Sequence, residues 1–457
     1  MDSTVLSTSL PAIAADLGSD PIALKLALTA YLLSMAVFIP VSGWVADRFG
    51  ARPTFTTAIG VFLLGSVACA LSGSLETMVA SRFLQGMGGA MMVPVGRLVL
   101  LRTVPKNELV QALSWLTIPA LVGPVVGPPL GGFITTYLHW RWIFLINIPI
   151  GLLGIALAQR FIPDIRENTP PLDWLGFLLA GLGLALAMFG FSTLGRQLVP
   201  VEVAVVTLVL GFAGLAGYVA HARRHPNPLL DLKLFNLPTY RAGIAGGSLF
   251  RIGIGASPFL LPLMLQVGFG LSPVQSGLLT FTSALGAIFM KTLAARVLKR
   301  FGFRRVLVVN AIVASAMLCA FGLFRPDTPH TVILAVLLVS GFFRSLQFTS
   351  LNAISYAEVD SPRMAQASSM AGMVQQLSLS LGVAIGGYFL EIAGVANGRP
   401  ATDVHNFYLA FLGVGLISAS SVWMMWRLPR NAGAEMSGRA RPGKEVAEPK
   451  PAQLPAT

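Results

Sequence analysis

Charge is scarce in this sequence. Only 11% of its 457 residues are Asp, Glu, Lys or Arg, against roughly 25% in soluble domains. That deficit excludes an ordinary soluble enzyme. Paired with 54% apolar residues, it also excludes a disordered chain, which needs low hydrophobicity and high net charge. Cysteine is nearly absent: Cys69 and Cys319 both lie in apolar stretches, so there is no disulfide framework. The five histidines fall at or near loops without metal-ligand spacing. No phosphate-binding loop or nucleophile elbow occurs. Neither a bound metal, nor a cofactor, nor enzymatic catalysis is expected.

What the chain has in abundance is apolar residues in stretches of about 20, the length that spans a bilayer as helix. Glycine (47) and proline (30) are plentiful, as in membrane helices. The expected fold class is all-α, a polytopic membrane protein. Fourteen spans are read, near 1–16, 24–46, 55–73, 78–101, 108–136, 141–161, 173–194, 200–220, 240–266, 275–297, 304–324, 331–356, 365–393 and 406–427. Residues 428–457 are rich in Pro, Gly, Lys and Glu and read as a disordered tail.

The net charge of +13 is distributed by loop. With the first loop placed outside, 22 basic residues fall on the inner side and five on the outer: Lys25, Arg141, Arg196, Arg325 and Arg399. The positive-inside rule then predicts that both termini are cytoplasmic. The basic balance is a topology signal, and no nucleic-acid partner is expected. The first span offers only ~21 Å of helix against a hydrocarbon core of ~30 Å. Either further residues precede Met1, or a short helix is accommodated by bilayer thinning.

Asp47-Arg48-Phe49-Gly50-Ala51-Arg52 and Lys299-Arg300-Phe301-Gly302-Phe303-Arg304 align at an offset of 252 residues. Each falls between the second and third span of a six-span set. The chain therefore parses as an N-terminal six-helix bundle (1–161), two inserted helices (173–220) and a C-terminal six-helix bundle (240–427). Parallel six-helix repeats around a central site are a transporter pattern.

Four motifs carry a family resemblance. Gly43-Trp-Val-Ala-Asp47-Arg48-Phe-Gly50-Ala-Arg52 resembles the signature loop of the major facilitator superfamily. Gly123-Pro-Val-Val-Gly127-Pro128-Pro129-Leu-Gly131-Gly132 resembles its antiporter motif, and Arg82-Phe-Leu-Gln85-Gly86-Met-Gly88 its third motif. Asp2-Ser-Thr-Val5 through Ala12, with Trp140-Arg141-Trp142 and Asn147, is similar to the fourteen-span drug:proton antiporter (EmrB/QacA-like) branch. The resemblance implies a 6+2+6 major facilitator fold and proton-driven efflux of small molecules, including drugs, across a bacterial inner membrane. It assigns Gly43, Asp47, Arg48, Gly50 and Arg52 to a conformational gate, where Gly43 and Gly50 permit a tight turn and close helix approach. It assigns Gly123, Gly127, Pro128, Gly131 and Gly132 to a pliable hinge, and Arg82 to proton transfer. Ala51 stands where the family pattern has a basic residue.

Five basic residues fall inside spans: Arg82, Arg97, Arg251, Lys291 and Arg344. Arg97 and Lys291 are near span ends and can snorkel. Arg251 and Arg344 are about 15 and 20 Å deep by helical rise. Asp2 is the one carboxylate clearly at depth and is the candidate proton carrier, with Arg82 beside it in that role. Arg251 and Arg344 are candidates to bind an anionic substrate group; alternatively they pair with Asp2 or cap carbonyls of broken helices. Tyr31, Gln85, Gln266, Gln347, Asn352, Gln375 and Gln376 are candidates to complete the cavity. The expected partners are a small-molecule substrate, protons and the lipid bilayer. An exporter of organic anions such as carboxylates, or of their metal chelates, is the alternative to drug efflux. A non-transporting membrane sensor is the alternative of another class, and no stretch here reads as the output domain it would need.

Overall fold

The computed structural model describes residues 2–103, 123, 126–164, 166, 171–193, 200–360 and 363–434. Every regular element among them is helical. The N-terminal half begins with two short helices, α1 (Asp2–Ser7) and α2 (Leu10–Asp16). The first span is therefore broken at Thr8 and Ser9, whose hydroxyls turn back onto the Val5 carbonyl. It continues with α3 (Lys25–Phe49), α4 (Ala51–Ala70), α5 (Leu75–Thr103), α6 (126–137), α7 (Trp142–Leu145) and α8 (Asn147–Phe161). Most of the fifth expected span, including Pro124 and Val125, lies outside the described residues.

Two further helices follow, α9 (Trp174–Thr193) and α10 (Val201–Ala222). The C-terminal half contains α11 (Pro238–Arg241), α12 (Gly247–Leu263), α13 (Pro273–Phe301), α14 (Phe303–Phe321), α15 (His330–Ser355), α16 (Met364–Asn397) and α17 (Val404–Trp426). Eleven helical segments among the described residues are long and apolar enough to cross a membrane. Their apolar side chains also face outward: Ile150, Leu153 and Leu157 on α8 and Val206, Val209 and Phe212 on α10 are all exposed. Such a continuous apolar surface has no place in water and fits a lipid environment.

Backbone chemistry explains the interruptions. The two aligned loops turn at Gly50 (φ +102°, ψ 143°) and Gly302 (φ +76°, ψ 158°). That left-handed region is costly for any residue with a Cβ, so both halves make the same turn with the same residue. Pro258 and Pro262 inside α12 each remove a backbone donor. The span they occupy carries π-helical turns at both ends, Ala242–Gly246 and Met264–Gly268. At α13, Ser272 and Gln275 form a reciprocal capping box ahead of Pro273.

The cores divide unevenly along the bundle. At the end remote from the signature loop, one apolar cluster joins both halves: Leu6, Leu10, Ile13 and Phe144 pack in the same core as Phe259, Leu263, Phe407 and Phe411. At the signature-loop end, the cluster around Ala46, Ala51, Val95 and Val99 is N-terminal only, and that around Phe250, Leu298, Leu307 and Ile354 is C-terminal only. The inserted helices join a fourth cluster with Leu33 and Val37 of α3 and Met370 and Met373 of α16. They lie along the seam between the halves.

Candidate transport site

Seam, N-terminal half and C-terminal half each hold a distinct polar group. At the remote end, α6 meets α1 and α13 backbone to backbone. A Cβ on Gly131 would sit 2.3 Å from the Val5 carbonyl oxygen, and one on Gly132 would sit 2.5 Å from that of Pro273. Only residues without a side chain allow this approach. The expected hinge residues Gly127 and Pro128 are buried here too, and Gly123 is buried. Nearby, Gln266 Nε2 donates to the Thr8 carbonyl at 2.8 Å, tying α12's π-helical end to the first span.

The same seam carries an ion pair. Lys25 Nζ lies 3.2 Å from Glu391 Oε1, joining the start of α3 to α16 in the opposite half. Lys25 is 2% exposed and Glu391 21%. Sequence position placed Lys25 among outer-loop cations; instead it is buried, because its stem lies across Gly387. Farther along α3, Ser380 Oγ donates to the Thr29 carbonyl at 3.2 Å and Gln376 Nε2 contacts Met35 Sδ at 3.1 Å. Gln375 makes no hydrogen bond among the described residues and is half-buried.

In the N-terminal half, Arg82 is 0% exposed. Its guanidinium lies 4.2 Å from the centroid of the Tyr31 ring and 6.0 Å from that of Phe144, and Nη1 donates to Gln85 Oε1. Gln85 Nε2 donates to Ser66 Oγ at 2.8 Å, and Asn147 Nδ2 reaches the same hydroxyl at 3.3 Å. The structure thus brings together Tyr31, Arg82 and Gln85, with Ser66 and Asn147 as supports that residue-type reasoning did not single out. Asp2 begins α1, but its side chain lies outside the described residues.

In the C-terminal half, Arg251 is 1% exposed. Nη2 donates to Asn352 Oδ1 at 3.0 Å, Nη1 to the Gly243 carbonyl at 3.3 Å, and the guanidinium faces Phe348 at 5.8 Å. Its Nε has no hydrogen-bond partner, and no carboxylate pairs with it among the described residues. Arg344, Phe348 and Asn352 are spaced by four residues on α15 and so share one face. Arg344 is half-buried and makes no hydrogen bond or ion pair among the described residues. Gln347 is a correction. One residue from Phe348, it points away into the α14–α15–α17 packing, bonded to Asn310 at 3.0 Å and the Leu307 carbonyl at 3.2 Å. Its amide is taken up by these packing contacts and by Met425 Sδ at 3.2 Å.

At the signature loop, Arg52 Nε donates to the Ile162 carbonyl of its own half at 2.6 Å. Arg48 is exposed and Asp47 half-buried. Gly50 turns the chain against Asp164 and Arg166. Gly43 corrects the expectation of close approach: it lies inside α3, and a Cβ there would meet nothing within 4 Å.

One three-residue group could offer metal ligands among the described residues. Asp173, His221 and His225 bring their donor atoms within 4.8 Å of one another, although the sequence shows no ligand motif. The Asp173 carboxylate is already engaged, however. It accepts from Gly176 N at 2.8 Å, Leu229 N at 3.2 Å and His221 Nε2 at 2.7 Å. Together with Tyr218 Oη, which bonds both the N–H and the carbonyl of Leu230, it pins the linker onto the inserted helices. We read the group as a structural clasp.

With this geometry in hand, comparison with known proteins is informative. The family profile described as Major Facilitator Superfamily matches residues 1–173 and 243–454. MdtD of Serratia proteamaculans, named as a multidrug resistance protein, is 37% identical over 450 residues, covering 97% of this chain and 93% of its own. MdtD of Escherichia coli (strain K12) is 38% identical over 437 residues, covering 94% and 92%. Among solved structures, a D-xylose-proton symporter superposes with TM-score 0.68 at 15% identity, covering 94% of this chain and 95% of that one. At that identity the likeness concerns the fold alone.

Proposed function

The chain belongs to the major facilitator superfamily, a family of membrane transporters and not of enzymes, and from that premise we propose that it exports small molecules by proton-coupled antiport across the bacterial inner membrane. In this reading the halves rock about a midplane site, fourteen spans cross the bilayer as 6+2+6, and the inner excess of basic residues places both termini in the cytoplasm.

The observation that carries the reading is the asymmetry of the seam. The halves share a large core, an ion pair and glycine-mediated backbone contact at the remote end; toward the signature-loop end, among the described residues, the clusters around Ala46 and around Leu298 each stay within one half, and the halves meet in the cluster of Leu33 and Val37 with Met370 and Met373 beside the two additional helices. The heavier joining at the remote end supports a transporter closed on that side. Arg82, buried beside the closed seam, supplies a fixed positive charge in low dielectric, where a neighbouring carboxylate responds strongly to gaining or losing a proton. Asp2 is the proposed carrier. Substrate arriving from the signature-loop side would displace its proton or be displaced by it.

A second reading concerns the substrate. Arg251 and Arg344 stand on facing walls of the C-terminal half with no carboxylate partner among the described residues. Two guanidiniums without counter-ions favour an anionic substrate such as a carboxylate, or its metal chelate, bound through charge-assisted hydrogen bonds. The same vesicle experiment tests both readings. Inside-out vesicles with an acid lumen are given a lipophilic cation such as ethidium, then a tricarboxylate, while lumenal pH is followed. Proton release with ethidium supports drug efflux. Release with the tricarboxylate alone, lost in Arg251→Gln, supports anion export. No proton movement with either, from protein shown to bind both, would overturn proton coupling.

A further inference from the structure

Away from the seam, a cleft of about 310 Å³ opens at the signature-loop end of the C-terminal half, between the start of the ninth span and the end of the last helix. Arg241 and Arg427 stand at it, and Trp423, Met424 and Leu428 form its apolar lining. From its composition and position we propose that this cleft is a binding site for the head group of an anionic phospholipid.

Four observations carry the proposal. First, both arginines are exposed and neither pairs with a carboxylate among the described residues. The nearby acid Glu358 is occupied at the start of α11, accepting from the Thr239 backbone N–H at 3.0 Å and its hydroxyl at 2.8 Å. The cleft therefore presents two positive charges with no paired carboxylate among the described residues. Second, the Arg427 guanidinium lies 3.8 Å from the Trp423 ring centroid. Stacking leaves the in-plane N–H groups free to grip a phosphate in bidentate fashion.

Third, the depth is right for a lipid. Arg427 follows the last residue of α17 and Arg241 stands three residues into its span. Trp423 and Trp426 are both 62% exposed, and tryptophan concentrates where hydrocarbon meets head groups. A free phosphate ion would use the two arginines and leave the apolar floor unmatched. A phospholipid uses both, with phosphate on the guanidiniums and acyl chain along Trp423, Met424 and Leu428.

Fourth, one wall is the π-helical turn Ala242–Gly246: Ala242 lines the cleft, and Gly246 abuts Met424. π-turns inside α-helices concentrate at functional positions. The carbonyl of Gly243 in this turn accepts the hydrogen bond from Arg251. A lipid seated in the cleft thus touches the backbone segment that orients the buried arginine.

The experiment is native mass spectrometry of the purified full chain, titrated with phosphatidylglycerol or with phosphatidylcholine of the same acyl chains. Arg241→Gln/Arg427→Gln is the variant; both side chains are exposed, and folding is checked by melting temperature. Wild type should hold phosphatidylglycerol about tenfold more tightly than the double variant, the scale expected for losing charge-assisted contacts. Phosphatidylcholine should not distinguish the two proteins, and millimolar inorganic phosphate should not displace the lipid. Equal retention of phosphatidylglycerol by both proteins would overturn the site. Displacement by inorganic phosphate would make it a phosphate site and overturn the lipid assignment.

Discussion

Arg82 and Arg251 are equally buried, at 0% and 1% exposure, yet their surroundings differ in kind. Arg82 sits in a built socket. Tyr31 covers its face, Gln85 takes a donor, and Ser66 and Asn147 hold Gln85 in place. Arg251 rests on one amide oxygen and one backbone carbonyl, and its nearest ring, Phe348, is 5.8 Å away against 4.2 Å for Tyr31 at Arg82. Burying a guanidinium is costly unless its donors are satisfied. A socket that fixes its cation suits a part used identically in every cycle. A cation with a more distant ring over it suits a part that takes up a ligand. The two halves share a backbone plan, down to matching turns at Gly50 and Gly302, and diverge in what they ask of a buried charge.

The comparison breaks most visibly at Arg82. Arg82→Ala should lower proton-coupled transport by about 100-fold or more, because a fixed charge inside the membrane is lost outright. Arg82→Lys should restore little of it, since the ammonium cannot reproduce a planar guanidinium stacked on Tyr31. Vesicle transport rates at matched protein levels measure both, and a near-normal rate in Arg82→Ala would make the socket merely structural. Arg251→Gln should weaken binding of an anionic substrate by roughly 10- to 100-fold, the worth of charged hydrogen bonds of about 1.5–3 kcal/mol, while leaving cation binding unchanged. Calorimetric titration with each ligand separates these outcomes.

Between the two halves, Glu391→Gln removes a carboxylate that lies 3.2 Å from buried Lys25. Breaking a buried pair costs about 3–5 kcal/mol, and with Glu391 21% exposed about 2 kcal/mol is the better expectation. The remote end should then open more often, read as faster labelling of Ser276→Cys, a near-isosteric replacement at a buried position of α13 where it packs on α6. Lys25→Met combined with Glu391→Met should recover much of the closure, and labelling no slower than in the single variant would remove the pair from the seam's energetics. Asn352→Ala should cost about 1 kcal/mol of anion affinity by freeing one Arg251 donor. The smallest effect belongs to Tyr31→Phe, which keeps the ring under Arg82; transport should change less than about twofold, since the cation–π contact survives.

Much of this was legible beforehand for a physical reason. In lipid every backbone polar group must be satisfied within its segment, so spans announce themselves as long apolar helices, and charges within them stand out. The burial of Arg251 inside its span and the matching of the two turn loops followed from counting. Which way a side chain faces did not. Gln347 and Phe348 are neighbours, and one turns into packing while the other lines the arginine; only the four-residue spacing of Arg344, Phe348 and Asn352 hinted at it. Lys25 looked like a loop cation because its partner is 366 residues away. Asp173 and His221 were likewise separated by 48 residues, and their meeting depends on how two hairpin helices align. The expected fourteen-span count rests partly on segments near the fifth span that fall outside the described residues.

The clasp on the linker has a mechanical consequence. Between the end of α10 at Ala222 and the start of α11 at Pro238 the chain is long enough to let the halves wander. Asp173 and Tyr218 fasten it at Leu229 and Leu230, so the free tether shrinks to 231–237, much of it wound as the short helix Leu232–Asn236. Seven residues reach at most roughly 25 Å when fully drawn out, and less when coiled. The C-terminal half is therefore on a short leash whose post is the inserted helix pair. Any swing of that half pulls against α9 and α10, which gives the two additional helices the office of a bearing.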